Sequence, residues 1–242
     1  MCGRYTLKSP AADLAEAFDL AEIPAWEARW NVSPSQLGVI VVSGEVRLPR
    51  LMRWGLVPGW SDGQLRSAPP INARSETLAD KPMFREAFRR RRGLALLDGF
   101  YEWRPASTPT TLDLFAPRPT ASTVPHRATK TPLYIQRRDA APFAIAALWE
   151  SSRAPDGSAI ETFALVTTSA NRLMRTIHDR MPVILDAAGC ARWLGEAPGP
   201  LEPLFRPLAD DVLHAWPVRT LVNAPRNEGP GLVEPVGPIE RG

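Results

Sequence analysis

Short apolar runs, broken by Pro, Gly, Ser and Asn, recur along most of this chain, and only a few stretches show helical spacing. Residues 2–7 read as a first strand. Ser9-Pro10 then caps and opens a helix carrying Leu14, Ala17 and Phe18 on one face. Asn31-Val32-Ser33-Pro34 breaks the pattern. Residues 39–42, a turn at Ser43-Gly44-Glu45 and residues 46–54 predict a β-hairpin that runs into Gly55-Leu56-Val57-Pro58-Gly59-Trp60. Residues 82–92 read as a helix stopped by Gly93, and 94–103 as one buried strand. Strands follow at 133–136, 143–149, 162–167, 183–185 and 214–218, with helices at 171–177 and after the cap Asp186.

This succession predicts an α+β fold, with a largely antiparallel sheet or partly closed β-barrel-like core and peripheral helices. With no internal repeat and no linker, residues 1–242 read as a single domain. Residues 105–130, rich in Pro, Thr, Ser and Ala, are expected to form an exposed insertion, and 225–242 a Pro/Gly-rich tail.

Composition narrows the class. With 242 residues, 44% hydrophobic and 23% charged, the chain is ordinary globular protein with a sizeable core. Two cysteines, Cys2 and Cys190, argue against a disulfide scaffold, and no Cys/His cluster has zinc-ligand spacing, so neither a metal nor another cofactor is expected. No signal peptide or membrane span is legible, which makes a cytoplasmic location the expectation. A formal net charge of +3 permits nucleic-acid binding without demanding it.

The candidate chemistry starts at Met1-Cys2-Gly3-Arg4-Tyr5. Once Met1 is removed, Cys2 carries an amine and a thiol on adjacent carbons, so it can condense with an aldehyde through nitrogen and close a five-membered ring through sulfur. Read alone, a cysteine here is equally an accident of its position. Three further polar groups fall where strands or loops end: Asn72, Glu102 and His178. Glu102 follows the buried run Leu94-Ala95-Leu96-Leu97 and lies between Tyr101 and Trp103, a setting for proton exchange, although an alternating strand would equally point it at solvent. A single histidine such as His178 is more often structural than catalytic. The run Arg89-Arg90-Arg91-Arg92 reads as a solvated helix end opposing the dipole. Arg4, Arg74 and Arg180 each lie within two residues of a candidate catalytic group, which an anionic phosphodiester would explain. Trp54 and Trp60 flank a Gly/Pro turn; Trp54 reads as core, whereas an indole on a loop can stack beside a base.

Residues 1–5, 29–34, 53–60, 71–77, 99–103 and 177–182, followed by Val222-Asn223 and Asn227, stand in an order that resembles the SOS response-associated peptidase family of abasic-site processing proteins. The resemblance spans nearly the whole chain. It implies covalent trapping of abasic sites in single-stranded DNA by a monomer: Cys2 attacks the ring-opened deoxyribose aldehyde, passing through a Schiff base to a stable thiazolidine. By motif, Glu102 would shuttle protons, His178 would help open the sugar and Asn72 would orient the reacting end. Arg4, Arg74 and Arg180 would hold phosphates, with Pro34 and Trp60 against the distorted strand. Ser61-Asp62 stands where family members carry an aromatic after Trp60, and the 105–130 segment is longer than usual for the family. Three rival readings remain: an N-terminal-nucleophile amidohydrolase, a peptidase that releases Met1 from its own chain, and a noncatalytic DNA-binding module.

Overall fold

The computed structural model describes residues 2–21, 24–61, 68–105, 130–153 and 157–242. Its strands form two sheets. In the first, β3 (Leu37–Val42), β4 (Leu48–Trp54), β6 (Arg92–Leu97), β9 (Phe143–Arg153) and β10 (Ala159–Ser169) close into a five-stranded barrel, because β10 pairs with both β9 and β4. The long β10 outruns β4, and β5 (Asn72–Arg74) pairs with its Leu165–Thr167 stretch in parallel. β11 (Arg180–Pro182) and β12 (Ile184–Leu185) extend the rim along β10 and β9. The second sheet is antiparallel throughout, in the order β14 (Glu240–Arg241), β13 (Leu213–Pro217), β8 (Thr131–Arg137), β7 (Gly99–Arg104), β1 (Arg4–Leu7), β2 (Arg29–Val32). Helices α1 (Ala11–Phe18), α2 (Pro82–Arg90), α3 (Arg172–Arg175) and α4 (Ala187–Leu194) lie around the periphery. The fold is α+β with a barrel core, as the sequence predicts.

Burial explains the two kinds of strand sequence. Leu94, Ala95, Leu96 and Leu97 of β6 are all buried, since β6 faces the barrel interior on one side and α4 packs against it. A strand covered on both faces reads as a continuous apolar run. The second sheet alternates instead. Phe100, Leu133, Ile135, Leu213 and Ala215 join the main core, whereas Tyr101, Tyr134 and Trp216 form a second cluster with Val218 and Val222. The C-terminal segment covers part of that second face: Val233 packs against the cluster, its carbonyl accepts from Trp216 Nε1–H at 2.7 Å, and β14 closes the edge against β13. The Pro/Gly-rich stretch 225–242 thus contributes to that cover through Val233 and β14, which help keep the aromatics beneath from water.

Three local expectations change. Residues 94–103 are two strands in different sheets, broken at Asp98, which is fully buried. Its carboxylate accepts hydrogen bonds from the Lys8 N–H, the Ser9 N–H and the Ser9 hydroxyl. Ser9 thus serves the corner, and α1 starts after Pro10 without a side-chain cap. Gly93 lies inside β6 rather than at the end of α2, whose last turn closes at Arg91. The 105–130 insertion falls, apart from its ends, outside the described residues.

Asp98→Ala removes the acceptor for three donors at once and is expected to cost about 2–4 kcal/mol. Equilibrium urea unfolding at 25 °C measures it; a loss below about 0.5 kcal/mol, the size of a neutral surface change, would show that the corner does not need its carboxylate.

Candidate functional site

The N-terminus is fixed by pairing. Arg4 stands opposite Tyr101 and Tyr5 opposite Phe100, so the residues before Arg4 run alongside Glu102 and Trp103. Glu102 shares the barrel-facing side of β7 with Phe100, which sits in the main core, and only 4% of it is exposed. Cys2 is also buried, at 1% exposure, with its thiol 3.8 Å from the Arg4 carbonyl oxygen. Burial pushes the Cys2 thiol well above its usual range, and the nearby Glu102 charge pushes it further. The thiol is thus held as S–H at neutral pH.

Asn72 reaches the same residue from the barrel. Its Nδ2 donates to the Cys2 carbonyl oxygen at 3.0 Å, while its Oδ1 is buried with no hydrogen-bond partner among the described residues. The short β5 that carries it is anchored by backbone: Leu165 N–H and Trp54 Nε1–H both donate to the Ile71 carbonyl, at 3.0 and 2.9 Å. Arg74 lies two residues on, exposed and on the same face of β5 as Asn72.

His178 follows α3, whose N-terminus is capped by Asn171 accepting from Met174 N–H at 3.0 Å. The imidazole Nδ1 faces its own chain, 3.0 Å from Arg180 N and 2.8 Å from Asp179 Oδ1. Arg180 ties this loop to the Asn72 segment: its guanidinium grips Glu76 at 2.5 and 2.8 Å and the Thr167 carbonyl at 2.7 Å. That pairing holds the Glu76 carboxyl below its ordinary range. Asn72 is thus joined directly to Cys2, Glu102 lies near enough for its charge to act on the Cys2 thiol, and His178 is linked to the Asn72 segment through Arg180 and the end of β10.

Arg4 is engaged by protein oxygens. Its Nη1 donates to Asn31 Oδ1 at 2.9 Å and to the Val222 carbonyl at 2.7 Å, Nη2 reaches the Asn223 carbonyl at 3.3 Å, and the guanidinium lies over Trp103 at 5.9 Å. Asn31, fully buried, completes the knot by donating to the Ala224 and Asn227 carbonyls, each at 3.0 Å. Trp103 Nε1–H adds a bond to Asn223 Oδ1 at 2.7 Å. Asn31 and Asn223 are the site residues that pattern reasoning passed over; both sit inside the motif segments, which was their only signal.

The two tryptophans divide as expected of core and surface. Trp54 is buried, stacked on Phe163 at 6.1 Å with 7° between planes. Trp60 is 63% exposed on the 3-10 turn Gly59–Ser61, where a Cβ on Gly59 would come within 3.0 Å of the Ser151 carbonyl, so glycine lets the turn lie flat on β9. Pro34 is half-buried in the turn before β3. The arginine run splits: Arg89 and Arg90 face solvent near Glu86, whereas Arg91 pairs with buried Glu150 at 2.7 Å and Arg92 bonds the Trp193 carbonyl.

A profile described as SOS response associated peptidase (SRAP) matches residues 1–225. The chain belongs to that family. It is similar to the abasic site processing protein YoqW of Bacillus subtilis, 38% identical over 97% of this chain and 99% of that protein. It is also similar to the abasic site processing protein HMCES of Xenopus tropicalis, 30% identical over 85% of this chain and 65% of that one. A crystal structure of a Bacteroides thetaiotaomicron protein shares the fold, with a TM-score of 0.74 at 22% identity, over 97% of this chain and all of that one.

In this SRAP chain the second cysteine is remote from the site: Cys190 is buried in α4, and burial pushes its thiol up to about 12. A Cys190→Ala protein therefore isolates Cys2. Because the Cys2 thiol titrates above its ordinary range, its initial rate of alkylation by iodoacetamide is expected to rise about tenfold per pH unit from pH 7 to 10. A plateau below pH 9 would show a stabilised thiolate and overturn the protonated state assigned here.

Proposed function

We propose that this chain captures abasic sites in single-stranded DNA by crosslinking them to Cys2, acting as a cytoplasmic monomer without a cofactor. The observation that carries this reading is the Cys2 backbone held by Asn72 beside the buried carboxylate of Glu102, at the seam of the two sheets. The names of the relatives, abasic site processing proteins, point the same way.

Met1 must first be removed, by the chain itself or by an aminopeptidase, to bare the Cys2 amine. With the thiol held protonated, the amine attacks first, at the aldehyde carbon of the ring-opened deoxyribose. The carbinolamine loses water to give a Schiff base. The thiol sulfur then adds to the imine carbon while its proton passes to nitrogen, and the thiazolidine closes. Glu102 carries the proton in both steps. The unpartnered Asn72 Oδ1 is an acceptor for the bared amine. With Nδ1 turned to its own chain, His178 offers Nε2 as the acid/base that assists ring opening. Both additions become intramolecular, an advantage that reaches about 7–11 kcal/mol in well-oriented cases. An amidohydrolase would need a ready thiolate, and the buried thiol disfavours it.

Exposed Arg74, on the face of β5 that carries Asn72, takes a phosphate of the lesion strand; to Arg4 and Arg180, both already bound to protein oxygens, we assign further phosphates of that strand. Exposed Trp60, with Pro34 beside the path, wedges against the distorted strand.

Three proteins and one abasic oligonucleotide test the chemistry on denaturing gels and by mass spectrometry. A chain that keeps Met1 has an amide in place of the amine and is expected to bind but form no stable adduct. Cys2→Ala with Met1 removed keeps the amine and should yield a borohydride-trappable Schiff base with strand cleavage. Glu102→Gln should crosslink about 10²–10⁴-fold more slowly. A stable adduct from the intact Met1 protein would transfer the role to an internal nucleophile.

Phosphate contact is read separately, from the salt dependence of binding to single strands without a lesion. Arg74→Ala is expected to flatten the log–log slope by about 0.7, one phosphate's share. An unchanged slope removes Arg74 from the track.

A further inference from the structure

We propose that Glu76 is a specificity-determining residue: in the free protein its carboxylate occupies the place of a strand phosphate on Arg180, and single-stranded DNA binds there by displacing it. The inference rests on the assignment of Arg180 to a phosphate made above.

The geometry is that of an anion already seated. Both carboxylate oxygens of Glu76 accept from the guanidinium, Oε1 from Nη1 at 2.5 Å and Oε2 from Nη2 at 2.8 Å. Arginine offers this two-point grip to carboxylate and phosphate alike. On its protein side the same guanidinium is tied down, because Nη2 also donates to the Thr167 carbonyl at 2.7 Å and β11, which begins at Arg180, pairs with β10 at Ser169. The cation is thus fixed from within, and its outer edge is taken by Glu76.

Exposure decides which partner leaves. The Arg180 side chain is 12% exposed, whereas that of Glu76 is 53% exposed. Arg91–Glu150 is the reverse case, a structural pair in which the acid is buried beneath a more exposed cation. A guanidinium as deeply placed as that of Arg180 needs an anion beside it, but an exposed carboxylate returns to water at little cost. Phosphate and carboxylate are therefore interchangeable here, and Glu76 is the one that solvent can take back. It stands in the 3-10 turn directly after β5, two residues from exposed Arg74 and four from Asn72, so the exchange takes place beside the phosphate assigned to Arg74.

The consequence is selectivity. An intact strand that takes Arg180 gains one ionic contact and breaks another, so it is held weakly and released. A strand crosslinked through its lesion is retained by a covalent bond, which does not depend on this contact. Glu76 thereby weakens the hold on intact DNA and leaves captured DNA in place.

Binding of a lesion-free oligothymidylate to the full chain at low ionic strength, read by fluorescence anisotropy, tests the exchange. Glu76→Gln keeps the shape and removes the competing charge, and it is expected to bind about 2- to 5-fold more tightly, the range of an exposed ion pair. Unchanged or weaker binding overturns the proposal and leaves Glu76 as an anchor of the His178 loop. Glu86→Gln removes a comparably exposed acid from α2; an equal gain there reduces the effect to net charge and also overturns it. In an Arg180→Gln background the gain from Glu76→Gln should vanish, and its persistence counts against the exchange. The unmodified chain supplies a readout that needs no variant: the side-chain carboxylate ¹³C resonance of Glu76 at pH 7 should move saturably as the strand is added. An unmoved resonance in the saturated complex overturns the displacement. Because no abasic site is used, failure here leaves the crosslinking reading standing, and a failure of crosslinking through Cys2 leaves the exchange at Arg180 standing.

Discussion

The buried carboxylate of Asp98 is the constraint on which the site depends. It stands where the chain leaves the barrel and enters the second sheet, and it binds the two amides that end β1. One acidic side chain thereby fixes the start of β7 against the end of β1, and with it the pairing of Arg4 with Tyr101. A slip of one residue would turn Glu102 to the opposite face and bring Trp103 to the barrel side, because strand side chains alternate with a period of two. The geometry of the candidate site is a consequence of register, and the register is set at a corner far along the strand from Cys2.

That register also separates two chemical environments across one sheet. On the barrel side, Cys2 and Glu102 are buried with Asn72 closing on the Cys2 carbonyl. On the other side, Arg4 stacks on Trp103 and binds Asn31 and the Val222 carbonyl, so a cation four residues from the N-terminus holds the C-terminal segment in place. The terminus is stiffened from both faces. A chain end ordinarily frays; here Asn72 holds the Cys2 carbonyl and Arg4 holds the segment that follows it.

Charge in this protein is engaged more than displayed. Arg180 binds Glu76, Arg91 binds Glu150, and Arg92 binds the Trp193 carbonyl, so a net charge of +3 understates how many cations act internally. Arg74 is exposed by contrast. The same economy applies to the Cys2 thiol, which burial keeps neutral.

The sequence by itself determined the local elements and singled out the candidate reactive groups. The β3–β4 hairpin, α2, α4 with its Asp186 cap and the apolar β6 follow from periodicity and capping, which are properties of neighbouring residues. Cys2, Asn72, Glu102 and His178 stood out because their chemistry is written in residue type and motif order. Tertiary structure alone decided the rest. That residues 94–103 divide between two sheets depends on Asp98 meeting Lys8 and Ser9, ninety and eighty-nine positions away, and no local pattern records such a contact. That 225–242 contributes to a cover follows from aromatic faces on β7, β8 and β13 that coincide only after folding. Which arginine is free and which is bound likewise depends on partners distant in sequence, because a hydrogen bond is fixed by position in space and not by spacing along the chain.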